Sequence, residues 1–255
     1  MSENVLAPIP LSLPLPAALA GRTVVVLGGS SGIGLAAGEL LAAAGADVVL
    51  VARDRDRLAA AAERVGAARA ITGDGTDERD LERVFAEVGR VDHVLVTAGA
   101  FAGGPFLDTP VGELRAGVDG RFWGAYAAAR AAAPVMAPGG SITFSSGLYL
   151  NRPIPGAAAA IAILGAVEGL TRTLAVELAP RRLRVNTVRY GIVDTPLARG
   201  SLGLDGDEAV AAAGLGAPLG RFATAQEAAS ASLFLMANNV VTGTVITVDG
   251  GQSLA

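Results

Sequence analysis

Short apolar runs alternate with longer amphipathic or alanine-rich stretches along almost the whole chain. Seven of the runs are apolar and rich in β-branched residues, which predicts strands near 23–27, 48–51, 68–72, 91–97, 141–145, 184–188 and 245–248. The stretches between them predict helices near 32–44, 54–65, 109–136 and 156–178, with one more charged helix between the third and fourth strands. No internal repeat is visible in this pattern.

This alternation predicts an α/β fold with one doubly wound parallel sheet. Strands that alternate with helices form parallel sheets, and strands without polar alternation are buried on both faces. We therefore expect a single-domain Rossmann fold over residues 21–255, with about seven strands and helices on both faces. A chain of 255 residues suits one such domain.

The first 20 residues differ from the rest because they are apolar and carry four prolines, at positions 8, 10, 14 and 16. Proline removes backbone donors, which favours an extended arm over a helix. Two interpretations stay open: an arm that packs across the domain or a neighbouring subunit, and a tail without fixed structure.

The composition excludes several kinds of partner and active site. The net charge is −4, which argues against partners such as nucleic acid or an anionic membrane. There is no cysteine, so disulfides, thiolate metal sites and cysteine nucleophiles are excluded. All 20 basic residues are arginine, and the proton-transferring side chains include one histidine, His93, and three tyrosines. Glycine, proline or charge interrupts the longest apolar runs and no signal-type segment opens the chain, so we expect no membrane span and a cytoplasmic location.

A glycine-rich turn, Gly28-Gly29-Ser30-Ser31-Gly32-Ile33-Gly34, joins the first predicted strand to the first helix. Such a turn lets the backbone approach a pyrophosphate, and the following helix offers free N–H groups and a favourable dipole. In this context the turn predicts a dinucleotide site. The alternative is a tight turn without a ligand.

The end of the second strand bears on the choice of cofactor. A carboxylate there binds the ribose hydroxyls of NAD, whereas an arginine accommodates the extra phosphate of NADP. This chain has Ala52 followed by Arg53, which favours NADP(H) over NAD(H). The alternative is that Arg53 belongs only to the solvated charge run 53–57.

These motifs resemble the short-chain dehydrogenase/reductase family, and the resemblance covers almost the whole chain after residue 20. The Gly-x-x-x-Gly-x-Gly turn is that family's cofactor loop, and Arg-Val-Asn at 184–186 and Val-Asp-Gly-Gly at 248–251 are similar to its later segments. The resemblance implies that Asp74 holds the adenine ring, that Ala98 and Gly99 border the cofactor, and that Thr195 meets the nicotinamide carboxamide. It also implies a homodimer or homotetramer that acts on a small-molecule substrate.

The chain departs from the family at the residues that do its chemistry. Alignment places the family's Tyr-x-x-x-Lys pair at Ala160 and Leu164, and neither side chain transfers a proton. The family's asparagine aligns with Arg121. Only the serine is kept, at Ser146 or its neighbour Ser145. A positioned general acid contributes roughly 10²–10⁴ in rate, so another group must supply the proton or the reaction must not need one.

Four side chains are candidates for the catalytic work: Ser146, Tyr190, Tyr149 and Arg121. Three of them have a structural alternative, which is packing for Tyr190, lining of the expected substrate loop at 148–155 for Tyr149 and an interface ion pair for Arg121. Arg152 is a further candidate for recognising a carboxylate, whereas we interpret Tyr126 and His93 as structural. We find no metal-ligand cluster.

Three functions remain in competition. The first is an NADP(H)-dependent oxidoreductase that transfers hydride to a C=O, C=N or C=C bond through a non-standard site. The second is a non-redox enzyme, such as a cyclase, dehydratase or isomerase, that uses the same pocket. The third is a non-catalytic or regulatory subunit.

Overall fold

The computed structural model describes residues 19–66, 68–99 and 103–255. The proline-rich arm predicted over residues 1–20 lies almost entirely outside these residues and stays a prediction.

The centre of the described chain is a seven-stranded sheet in the order β3-β2-β1-β4-β5-β6-β9, in which every pair is parallel. This confirms the predicted doubly wound Rossmann fold. Two further strands, β7 and β8, form a separate parallel pair. The strands are β1 Thr23–Leu27, β2 Asp47–Ala52, β3 Ala68–Thr72, β4 Val91–Val96, β5 Met136–Gly147, β6 Arg184–Tyr190, β7 Val193–Asp194, β8 Ala223–Thr224 and β9 Val245–Val248.

Helices cover both faces of the sheet, which explains why the central strands β1 and β4 are buried along nearly their whole length. One core layer joins the sheet to α3, α5 and α6, and the other joins it to α1, α2 and α9. The α-helices are α1 Gly32–Ala43, α2 Arg55–Val65, α3 Glu78–Val88, α4 Val111–Val118, α5 Gly124–Ala132, α6 Ala158–Glu177, α7 Pro196–Leu202, α8 Gly206–Gly214 and α9 Ala225–Ala237.

The strand order reverses between β1 and β4, which lie side by side at the middle of the sheet. In an open parallel sheet, helices leave from the two strands toward opposite faces at this point, and a crevice opens beyond their carboxyl ends. The fold therefore places a ligand crevice at the ends of β1 and β4, where the glycine turn begins.

The single helix predicted over residues 109–136 is wrong in its continuity. The structure has α4, a π-helical turn at Asp119–Trp123, α5 and a short 3-10 turn at Ala133–Val135. Glycines at 117, 120 and 124 weaken the helix at this point, each by about 1 kcal/mol relative to alanine. A Cβ at Gly124 would lie 3.0 Å from Thr76 Cα, so close packing also requires glycine there.

Helix α6 is long and apolar enough to cross a membrane by length and composition alone, a test that the core helix of a globular domain also passes. It packs instead against β5 and β6, and buries Ile163, Leu164 and Val167 there. Its buried Glu168 is ion-paired with Arg189 on β6. These contacts are those of a core helix in a Rossmann fold.

Candidate active site

The glycine turn at the end of β1 leaves no room for side chains. Gly28 has a φ of 92°, and a Cβ there would lie 2.6 Å from Thr97 Oγ1 and 2.8 Å from the Ala98 nitrogen. A Cβ at Gly34 would collide with the carbonyl oxygen of Gly28. Ser30 is buried and Ser31 is exposed, while Ile33 packs against the core. The turn therefore presents bare backbone at the ligand crevice.

The N-terminus of α1 opens toward that crevice. Ser31 is its N-cap residue, and its side chain makes no capping hydrogen bond to the helix. First-turn N–H groups that no side chain satisfies are available to an anion, which the helix dipole also favours. Thr195 lies next to the same turn: a Cβ at Gly32 would be only 3.3 Å from Thr195 Cγ2. The structure thus brings Thr195 to the glycine turn across 163 residues of sequence.

Arg53 and Asp74 face each other beyond the ends of β2 and β3. The Arg53 guanidinium lies 3.8 Å from the Asp74 carboxylate, and 77% of the Arg53 side chain is exposed. Asp74 is fixed by the backbone N–H and hydroxyl of Thr76, which donate to Oδ1 at 2.9 and 2.7 Å. An exposed guanidinium beside a fixed carboxylate leaves the positive group accessible to a further anion.

Arg121 lies on the π-helical turn and reaches back to the end of β4. Its Nη2 donates to the Gly99 carbonyl over a long 3.4 Å, and a Cβ at Gly99 would lie 2.9 Å from Arg121 Nε. Within the described ranges, no carboxylate forms an ion pair with it. Burial lowers the pKa of the Arg121 guanidinium below its usual value. A half-buried cation without a counter-ion is a group that an anionic ligand or a developing negative charge would stabilise.

Ser146, at the end of β5, belongs to a buried network that the sequence analysis missed. Its hydroxyl donates to Glu168 Oε1 at 2.8 Å, and Arg189 binds both oxygens of the same carboxylate, at 2.9 and 2.6 Å. Glu168 and Ser146 are 2% and 4% exposed. The neighbouring Ser145 turns to the other side of the strand and donates to the Val96 carbonyl. A signal was present in the sequence, since Glu168 is a charged residue directly after the apolar first half of the helix and Arg189 lies on a buried strand.

Comparison with known proteins agrees with this arrangement. A family model described as enoyl-(acyl carrier protein) reductase matches residues 28–253. Carbonyl reductase family member 4 of Xenopus tropicalis is 31% identical over 239 residues, which span 91% of this chain and 98% of that protein. The short-chain dehydrogenase/reductase malC of Malbranchea aurantiaca is 30% identical over 255 residues, which span 92% of this chain and 96% of that protein.

The chain belongs to the short-chain dehydrogenase/reductase family.

Solved structures in the family have the same fold. MalC Reductase/Diels-Alderase from Malbranchea aurantiaca has a TM-score of 0.84 at 29% identity, over 94% of this chain and 99% of that one. A small-chain dehydrogenase in complex with NADPH has a TM-score of 0.78 at 32% identity, over 92% of this chain and 100% of that one. The relatives of this chain are oxidoreductases, and the family uses a nicotinamide cofactor.

The residues present at the crevice fit such a dinucleotide. The glycine turn gives a cradle that a Cβ would fill, and the first turn of α1 offers unsatisfied N–H groups beside it. Arg53, Asp74 and Thr195 are placed around the same edge of the sheet. When bound, the nicotinamide supplies or accepts a hydride.

At the two positions to which we aligned the family's tyrosine and lysine, α6 presents apolar side chains. Ala160 and Leu164 are 6% and 7% exposed, and Leu164 Cδ1 lies 3.3 Å from where a Cβ of Gly147 would be. Neither carries a proton or a charge, and the chain has no lysine to place nearby. Ala160 and Leu164 therefore cannot take part in a proton transfer.

Among the tyrosine candidates, Tyr190 lies in the core and not at the crevice. Its ring packs with α9, its hydroxyl is 2.9 Å from Ser232 Oγ, and it is 5% exposed. Burial raises the pKa of Tyr190 to about 12. This position fits the packing alternative, because a phenol hydrogen-bonded to α9 presents no proton to a substrate.

The remaining candidates are spread over the molecule. Tyr149 is half-buried in a 3-10 turn directly after β5, close in sequence to Ser146. Arg152 donates to the Gln252 carbonyl and so joins the segment 148–155 to the C-terminal residues. Tyr126 is 42% exposed and packs edge-on against Trp123. His93 is buried in β4, with Nδ1 2.9 Å from Ser141 Oγ. The part of the chain that the structure describes holds no cluster of metal-ligating side chains.

Proposed function

We propose that this chain is an NADP(H)-dependent oxidoreductase that transfers a hydride between the cofactor and a C=O, C=N or C=C bond of a small organic substrate. The observation that carries the NADP preference is the exposed Arg53 guanidinium beside the fixed Asp74 at the ends of β2 and β3. A related protein of known structure binds NADPH. Arginine pairs well with a phosphate because its planar fork matches the phosphate oxygens.

The catalytic part of the proposal rests on Ser146 and Arg121. Ser146 stands where the family's serine meets the substrate oxygen, and Arg121 is the cation at the crevice that has no described carboxylate partner. A guanidinium aimed at a developing oxyanion stabilises the transition state without giving up a proton. Arg121 would thus supply charge that the family's lysine supplies from α6.

The direct test is NADPH consumption by the purified chain across a panel of carbonyl, imine and enone compounds. We expect turnover with at least one class, and its loss in Gly34→Ala, because the added Cβ collides with the Gly28 carbonyl in the cofactor cradle. Gly112→Ala is the matched control, since a Cβ there meets nothing within 4 Å. Turnover that survives Gly34→Ala would show that the activity does not use this cradle.

A non-redox reaction in the same pocket is the second candidate. The apolar Ala160 and Leu164 favour it, and the related malC carries both a reductase and a Diels-Alderase in its name. Product formation that is unchanged after the cofactor is removed would support this candidate. If no turnover of either kind occurs but the chain forms a stable complex with a related catalytic chain, a regulatory subunit is the better description.

We further propose a cytoplasmic homodimer or homotetramer. Trp123 is 53% exposed at the start of α5, and Val176 is 75% exposed near the end of α6. Large apolar side chains exposed on two helices favour contact with another copy. Light scattering coupled to size-exclusion chromatography measures the assembly, and a monomer at micromolar concentration would contradict this part of the proposal.

A further inference from the structure

One face of α6 carries an ionisable group one helical turn beyond the positions of the family's missing pair. Residues 160, 164 and 168 are spaced by four, so their side chains follow one another along a single helix face. The first two are the apolar Ala160 and Leu164, and the third is Glu168. Compared with the family, this helix face lacks the phenol and the ammonium, but it carries a carboxylate one turn after their two positions.

The contacts of Glu168 point the carboxylate at the serine that the family keeps. Ser146 Oγ donates to Oε1 at 2.8 Å, and Arg189 binds both oxygens from β6. Arg189 fixes the carboxylate in place, because its guanidinium binds both oxygens in a bidentate, charge-assisted pair. Ser146 and Arg189 lie directly opposite each other in the β5–β6 register, so the strands fix this arrangement.

The direction of this hydrogen bond determines what Ser146 offers to a substrate. A serine hydroxyl has one proton and two lone pairs. With its proton committed to Glu168, Ser146 presents only lone pairs to the crevice, so it accepts a hydrogen bond from the reacting group. An alcohol O–H meets this requirement, whereas a bare carbonyl oxygen does not.

We propose that Ser146 and Glu168 form a proton relay that replaces the missing tyrosine–lysine pair, with the resting site set to oxidise an alcohol. This inference rests on the proposed function, because it requires oxidised cofactor as the hydride acceptor. Ser146 is the catalytic residue that touches the substrate, and Glu168 acts through it. Arg189 positions the carboxylate.

The step balances with these groups alone. The substrate C–H bond breaks and its electron pair leaves as hydride to NADP⁺, which is reduced to NADPH. The substrate O–H proton passes to Ser146 Oγ while the serine's own proton passes to a Glu168 oxygen. The products are a carbonyl compound, NADPH and a protonated Glu168, which returns its proton through Ser146 Oγ to water that replaces the product.

A purely structural ion pair would explain fewer of the contacts. Arg189 alone neutralises Glu168, and the serine hydroxyl is not needed for that purpose. Ser146, from β5, and Arg189, from β6, are the polar groups that the described structure places against the carboxylate, and the next ionisable residue on α6, Arg172, is exposed. The same three contacts also make the carboxylate the proton acceptor nearest to the family's serine.

The test is a double-mutant cycle on Ser146→Ala and Glu168→Gln in the alcohol-oxidising direction, with NADP⁺ and a panel of primary and secondary alcohols. We expect each single variant to lower kcat by roughly 10²–10⁴ and the double variant to lose no more than the worse single one, because both residues serve one relay. Glu168→Asp, which keeps a carboxylate, should retain more of the wild-type kcat than Glu168→Gln does. Losses that multiply in the double variant, or equal losses in Glu168→Asp and Glu168→Gln, would overturn the relay.

Unfolding measurements separate the relay from damage to the fold. Glu168→Gln leaves Arg189 buried without its partner, so we expect a lower Tm, and Glu168→Gln with Arg189→Gln should recover much of it. Activity must stay low in this charge-neutral variant; recovery of kcat would show that only the ion pair mattered. Glu227→Gln, which breaks the bidentate Arg221–Glu227 pair elsewhere, is the matched control and should stay within about two-fold of wild-type kcat.

Measurements of cofactor binding distinguish a failure of the relay from a failure of the proposed function. Calorimetry of the same variants should give NADP⁺ affinities close to that of the wild type, because Glu168 is buried and its described contacts are Ser146 and Arg189, not the glycine turn or Arg53. If NADP⁺ binds but no alcohol is oxidised, the relay is wrong while the cofactor site stands. If no nicotinamide cofactor binds, the proposed function itself fails.

Discussion

Arg53 is the residue on which the proposed preference for NADP(H) rests. Its position after β2 was predictable from the sequence, because a charged residue directly after a buried strand must lie at the carboxyl edge of the sheet. The structure adds that its side chain is mostly exposed and pairs only loosely with Asp74. A phosphate would therefore gain an accessible guanidinium without breaking a strong ion pair.

Replacing Arg53 with alanine should weaken NADPH binding by about 10- to 100-fold and change NADH binding by less than three-fold. Only NADPH carries the phosphate that the guanidinium would contact, and a hydrogen bond to a charged group contributes about 1.5–3 kcal/mol. Calorimetric titration measures both affinities. Arg55→Ala, in the same charge run, is the control, and equal losses for both cofactors would contradict the assignment.

His93 should make stability depend on pH. Burial, as the largest cause, lowers its pKa from 6.5 to about 4. Between these values the unfolded chain binds a proton that the folded chain does not, so stability falls as pH falls from 6.5 toward 4. The contribution lost by pH 4.5 is about 2 to 3 kcal/mol.

The measurement is the free energy of unfolding in denaturant, at pH 7 and pH 4.5, for the wild type and His93→Gln. The carboxylates titrate in both proteins, so the difference between the two proteins isolates His93. We expect the variant to lose less stability than the wild type on acidification. Parallel losses would show that His93 is not the group responsible.

At the scale of elements, strands were easier to predict than helix boundaries. The strands of the main sheet overlap their predicted positions, since an apolar run between turn signals allows few alternatives, although β5 begins at Met136 and not at the predicted residue 141. The break at Asp119–Trp123 was not predicted, because it depends on the contact of Gly124 with Thr76, more than 40 residues away in sequence. The helices α7, α8 and α9 were also missed, since their alanine-, glycine- and leucine-rich stretches have weak periodicity.

Arg184 ties one of these missed helices to the sheet. From β6 it donates to the carbonyls of Leu235 and Met236, in the last turn of α9, and to that of Val241. The last carbonyl groups of a helix have no partner within the helix. The arginine of the Arg-Val-Asn motif, which supported the family resemblance, therefore stabilises the end of α9.

Arg184→Met should keep the aliphatic packing but leave those carbonyls without a donor. We expect the free energy of unfolding to fall by about 2 to 4 kcal/mol, since each buried unsatisfied group costs about 1–3 kcal/mol. Thermal and denaturant unfolding of the wild type and the variant measure the loss. A variant as stable as the wild type would mean that water replaces the guanidinium at the end of α9.

For the whole molecule, the sequence was enough to predict the fold and the edge of the sheet at which a cofactor would bind. It was not enough to predict how the candidate catalytic side chains are arranged. The glycine turn, Arg53 and Asp74 are local signals at strand ends, and the parallel sheet collects them at one edge. The contact of Ser146 with Glu168 and Arg189 joins a strand, a helix and a second strand, and depends on side-chain directions that periodicity does not encode. For the same reason the core position of Tyr190, against Ser232 on α9, required the structure.

Calorimetric titration of the purified protein with NADPH and, separately, with NADH shows whether the chain binds NADP(H) although α6 carries Ala160 and Leu164. We expect one site per chain with micromolar or tighter NADPH binding, at least ten-fold tighter than NADH. Binding of neither cofactor would mean that the Rossmann fold is kept here without its nucleotide, and tighter NADH binding would reject the role given to Arg53.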